Sequence, residues 1–107
     1  MTARMIINEN GREHIWQCED DWLMAAIEKV FAEHLAAGET LFIKGPGHPV
    51  SGRKWASIEI SPVAKLIYTY TEFDGDYLTA ALAEVESHVS RFGGLTFDAD
   101  DNLVEPV

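Results

Sequence analysis

The segment Gly45-Pro46-Gly47-His48-Pro49-Val50-Ser51-Gly52-Arg53-Lys54, with Lys44 before it, holds the one basic concentration in the chain. Gly47 and Gly52 have the spacing of the two glycines in a phosphate-binding loop, whose amides cradle the anion at the start of a helix. The match fails where chemistry needs it. Arg53 stands at the lysine position, Lys54 at the Ser/Thr position, and the pattern continues into a strand. The segment therefore reads as an exposed strand connection whose Lys44, His48, Arg53 and Lys54 form a candidate contact site.

Other constellations fall short in the same way. His14, His34, His48 and His88 have no metal-ligand spacing, and none makes a zinc pattern with Cys18. Asp98, Asp100 and Asn102 alternate as at the start of a calcium loop, but Leu103 takes the place of the required glycine. Cys18 lies near an expected helix start, where a dipole lowers a thiol pKa, yet Glu19, Asp20 and Asp21 oppose that effect. There is no Gly-x-Ser-x-Gly elbow. The expectation is a protein without a catalytic centre, metal or cofactor.

Composition narrows the partners. The 107 residues carry 18 acidic groups against 8 Lys and Arg, a formal charge of −10, so the averaged field repels phosphate backbones and anionic lipids. Direct nucleic-acid binding is disfavoured. With 47% hydrophobic residues and one cysteine, the chain is expected to form one domain over residues 1–107, with a core that needs no disulfide. The single thiol, the absence of a basic-then-apolar leader and the lack of a membrane-length apolar run point to the cytoplasm.

The elements that would position these residues follow from local pattern. Asn10-Gly11 between Arg4 to Glu9 and Arg12 to Gln17 predicts a type I′ hairpin. Its register sets Ile6 opposite Ile15 on one face, and Met5 and Ile7 opposite Trp16 and His14 on the other. The carboxylates Glu19 to Asp21 open a helix with Trp22 in its first turn, placed to lap onto the hairpin, and Leu23, Ile27, Val30 and Leu35 on its apolar face. Gly38 ends it. Thr40 to Lys44, Lys54 to Ile60 and Ala64 to Thr71 read as a three-stranded meander broken at Ser61-Pro62. Asp76 is placed to cap a second helix carrying Leu78, Leu82, Val85, Val89 and Phe92. Gly93-Gly94 stops it before a short strand, Leu95 to Phe97. The fold class is α+β, in the order ββαβββαβ, with a mainly antiparallel sheet packed by two helices.

From Trp22 onward, Gly38-Glu39-Thr40 with Phe42, Gly52-Arg53 with Trp55, and Ser61-Pro62 with Leu66 and Tyr68 make one series of markers. Gly93-Gly94-Leu95 and Val104-Glu105-Pro106 complete it. In these the chain resembles a family of small actinobacterial and actinophage domains of unknown function. The resemblance implies a bacterial or phage setting. A DNA ligase activity ascribed to some members needs a Lys-x-Asp-Gly nucleophile motif, which this chain lacks.

The leading expectation is a noncatalytic interaction domain, phage-encoded or a bacterial accessory protein, that binds a host protein or a second copy of itself. Its motivation is the apolar character of both sheet faces. Trp16, Tyr68 and Tyr70 are the candidate anchors, because aromatic side chains dominate interface hot spots. Two alternatives stand beside it. One is an acidic DNA mimic that inhibits a nucleic-acid-binding protein; the other is a small anion- or ligand-binding domain using the Gly45 to Lys54 loop.

Overall fold

The computed structural model describes residues 3–46, 55–100 and 102–106. β1 (Ala3–Glu9) and β2 (Arg12–Cys18) form the expected hairpin. Asn10 and Gly11 adopt φ of 52° and 76°, the left-handed pair that a type I′ turn requires and that asparagine and glycine tolerate best. The turn locks the register. Met5 pairs with Trp16, Ile6 with Ile15 and Ile7 with His14.

α1 (Asp21–Ala36) begins where Asp20 caps it, its carboxylate accepting the Trp22 and Leu23 amides at 3.0 and 3.1 Å. Gly38, at φ 85°, takes the left-handed turn beyond the C-cap Ala37. Met24, Ile27, Val30 and Phe31 are buried along one face, while Leu23 and Leu35 flank it half-buried. Removing each such side chain from water contributes about 1.5–3 kcal/mol, more than the helix propensities of the β-branched residues cost. Trp22 meets Phe73 edge-on at 6.4 Å, so this ring contact comes from the segment after the fifth strand and not from the hairpin.

β3 (Leu41–Pro46) and β4 (Trp55–Ile60) pair antiparallel. The meander ends there. β5 (Lys65–Thr69) leaves this pair and joins the free side of β1, so the order in the first sheet is β2-β1-β5. The second sheet is β4-β3-β6-β7, with β6 (Gly94–Phe97) parallel to β3 and β7 (Leu103–Val104) antiparallel to β6. The chain is thus α+β with two sheets, where one had been expected.

Two tethers account for the crossing. Pro62 cannot donate to a ladder, and the Ala64 amide closes a turn on the Ser61 carbonyl at 3.1 Å. The amide of Ser61 donates to the Glu9 carboxylate at 3.1 Å and its hydroxyl donates to the same oxygen, which fixes the turn at the end of β1. At the far end of β5, the Asp21 carboxylate captures the backbone of residues 71–73. Between these anchors the strand has one course.

α2 (Thr79–Phe92) starts later than its pattern suggests. Leu78 occupies the N-cap without a side-chain hydrogen bond, and Asp76 instead donates its amide to the Asp74 carboxylate at 2.9 Å, around Gly75 at φ 96°. The Asp74 carboxylate shapes the turn, and Asp76 does not cap the helix. Val85 and Val89 are buried, Leu82 is half-buried, and Leu78 points to solvent. The helix ends at Gly93 in the left-handed region, and Gly94 enters β6 directly beside Phe42. A methyl group at Gly94 would collide with the Phe42 carbonyl and ring. Gly94→Ala is therefore expected to cost about 1–3 kcal/mol in urea unfolding, through displacement of β6 from β3.

The core lies where the two sheets and α1 meet. Trp16 of β2 packs against Phe97 of β6 with ring centroids 4.9 Å apart, joining the sheets. Ala3, Met5, Ile7, Ile43, Ile60 and Leu95 fill the space around them.

Candidate interaction surface

Because the side-chain period of a strand is two, each strand of the first sheet sends alternate residues away from the core. Ile15 of β2, Ile6 of β1 and Ile67 of β5 stand in one row across the outer face, since Ile6 is the pairing partner of both others. None belongs to the core cluster or to the side chains packed on it. Ile67 is 49% exposed, and Ile6 and Ile15 are part-exposed. One flanking row is Glu13, Asn8 and Lys65; the other is Gln17, Arg4 and Thr69. An apolar centre with a polar rim is the usual composition of a protein contact.

The placement of Ile67 depends on Asp21. Only 4% exposed, its carboxylate accepts the amides of Thr71 at 2.9 Å, Phe73 at 2.8 Å and Glu72, together with the Thr71 hydroxyl at 3.2 Å. Burial works to raise its pKa. The amides of Glu72, Thr71 and Phe73 and the Thr71 hydroxyl overcome that and hold the group below the ordinary aspartate value. Beside it opens a cavity of about 310 Å³ lined by Glu19, Asp20, Asp21, Trp22, Thr71 and Glu72. Phe73 continues an aromatic ledge to Tyr70 at 5.2 Å and Tyr77 at 5.3 Å, with Lys29 over the Tyr77 ring.

A second ionic device joins the helices. His34 Nδ1 meets Glu39 at 2.6 Å and Nε2 meets Glu86 at 3.0 Å, so one imidazole spans the end of α1, the approach to β3, and α2. Desolvation lowers the histidine pKa, but the hydrogen bonds and charges of Glu86 and Glu39 outweigh it and the net shift is upward. Glu86 shifts downward, first through the Ser90 hydroxyl at 2.8 Å, then, against the opposing pull of desolvation, through His34.

The expected anchors fare unequally. Trp16 is 8% exposed and supports the core against Phe97, so it offers no ring to a partner. Tyr68 is mostly buried on the inner face of β5 with its hydroxyl unpartnered, and burial raises its pKa. Tyr70, half-buried, donates to Glu28 at 2.6 Å; burial, then Glu28, raises its pKa as well. Both phenols hold their protons at neutral pH. Lys44 is exposed on β3. His48, Arg53 and Lys54 lie outside the described residues.

The outer isoleucine row was missed as a site, although its first two members were already paired by the Asn10-Gly11 register. The third needed β5 beside β1. Among the described residues no group of three or more His, Cys, Asp or Glu side chains could hold a metal ion, and Asp98 instead accepts the Asp100 and Asn102 amides in a turn. No protein-family model, curated protein or solved structure matches the chain.

Two pH effects follow. The contribution of Asp21 is complete above the ordinary aspartate pKa of about 4 and is lost as pH falls through its lower folded value. Asp21→Asn should lower the urea midpoint at neutral pH, and the gap from the native chain should close in acid. The raised pKa of His34 has the opposite sense. Its contribution is complete below about pH 6.5 and is lost as pH rises through the folded value. The midpoint gap between the native chain and His34→Gln should therefore narrow on the alkaline side, measured from about pH 6 to about pH 9.

Proposed function

We propose that this chain is a noncatalytic protein-interaction domain that docks through the outer face of β2-β1-β5. The observation that carries this reading is the row Ile15, Ile6 and Ile67, aligned by pairing and left off the core. Burying such a row against a partner gains about 25 cal/mol per Å² of apolar surface, and among the described residues none of the three isoleucines is part of the core cluster. The bacterial or phage setting and a cytoplasmic location belong to the same proposal. Among the described residues no helix is long and apolar enough to cross a membrane.

The DNA-mimic alternative has less support, because many carboxylates are already engaged. Asp20, Asp21, Asp74 and Asp98 hold caps and turns. Glu9, Glu28, Glu39 and Glu86 each bind a side chain. An acid committed to the fold is a poor stand-in for a phosphate, which must stay free to meet a basic groove.

Ile67→Asp tests the proposal with little risk to folding, since substitutions at exposed positions usually change stability by less than about 0.5 kcal/mol. Tagged native chain and variant are compared in lysate of the source cell, to which untagged chain is added. Native protein should retain a species, either another protein or the untagged copy, that the variant loses. Equal retention by both, or none by either, rejects this face as the interface.

A further inference from the structure

We infer that the occupant of the β2-β1-β5 outer face is a second copy of this chain, related by a twofold axis running along β1. The inference rests on the interaction-domain reading and adds the partner and the geometry. Its basis is the arrangement of charge around the isoleucine row. Glu13 and Lys65 occupy opposite edge strands at the same level, because both are paired with Asn8 of the central strand. Both are exposed.

A twofold axis along the central strand exchanges the two edge strands and leaves the levels unchanged. It therefore lays Glu13 over the partner copy's Lys65 and Lys65 over the partner copy's Glu13, two ion pairs from one surface, as an isologous contact demands. Ile15 falls over the partner copy's Ile67, and Ile6 over its counterpart at the centre. Packed sheets lie about 10 Å apart with strands within about 30° of each other, which this axis satisfies. An axis along the row, at right angles to the strands, would instead set Glu13 against Gln17 and Lys65 against Thr69, with neither charge paired. The remaining charge on the face is Arg4, which sits on the axis and meets its own copy, an unfavourable contact.

The rest of the molecule supports a contact at this place. The chain carries a net charge of −10, whereas this face presents one acid and two bases, so two copies approach here with less repulsion than the average charge of the chain would impose. A three-stranded face is small, and the dimer should be weak and reversible.

Sedimentation equilibrium on the purified full chain, from about 1 µM to about 1 mM, covers the range in which so small an interface dissociates. The native chain should pass from monomer to dimer, and Ile67→Asp should remain monomeric. Glu13→Lys and Lys65→Glu should each weaken association several-fold or more, the double exchange should restore it, and Arg4→Gln should tighten it. Circular dichroism and the urea midpoint confirm that each variant is folded. A native chain monomeric at every concentration overturns the second-copy inference, and so does a dimer indifferent to Ile67 or to the charge exchanges. If the purified chain is monomeric while Ile67-dependent capture of a different protein persists, the inference fails and the interaction-domain reading stands. Loss of both removes both.

Discussion

One buried carboxylate fixes the path of the chain. Asp21 sits at the first turn of α1 and takes the amides that follow β5, so helix start and strand end are held by one charged group. Hydrogen bonds to an ionised acceptor are roughly twice as strong as neutral ones, and a backbone that has released its amides to a carboxylate no longer needs a ladder partner. With the Glu9 to Ser61 contact at the other end, β5 lies along β1. The outer isoleucine row exists because of that placement. Ile6 and Ile15 alone would be two part-exposed residues on a hairpin; Ile67 makes them a band across a sheet.

What was legible in the sequence was local. Asn10-Gly11 specified the turn and therefore every pair in the hairpin, and Asp20 and Gly38 bounded α1 because caps and left-handed turns are chosen by the residues that form them. The partner of β5 was not legible. Leu66, Tyr68 and the alternating pattern around them suit pairing with β4 as well as with β1, and the deciding contacts lie at Glu9 and Asp21, far away in the chain. Asp76 misled for a related reason: it and Asp74 offer the same side chain, and the turn at Gly75 took Asp74 as its acceptor.

The site was legible only in part. Adjacent acids at a helix start are read as cap and dipole partner, which describes Asp20 but not Asp21, whose burial is a tertiary fact. A doublet in which one acid suffices for the cap is the signal that the second is available for other work. Trp16 shows the converse ambiguity. On a hairpin apolar on both faces, composition cannot say which face the core will claim, and the core took the face with the indole. The hairpin residues left outside, Ile6 and Ile15, are the less conspicuous ones.

The pairing of β1 with β5 also sets an order of assembly. A ribosome releases the hairpin and α1 early, but neither the second neighbour of β1 nor the amides for Asp21 exist until residues 65–73 have been made. During synthesis at about 5–20 residues per second, the nascent chain carries an open strand edge and an acid still held by water for several seconds. Pairings so distant in sequence are slow to form, because loop closure must precede any return from contact. The early half of this protein therefore waits, incomplete, for the later half to arrive.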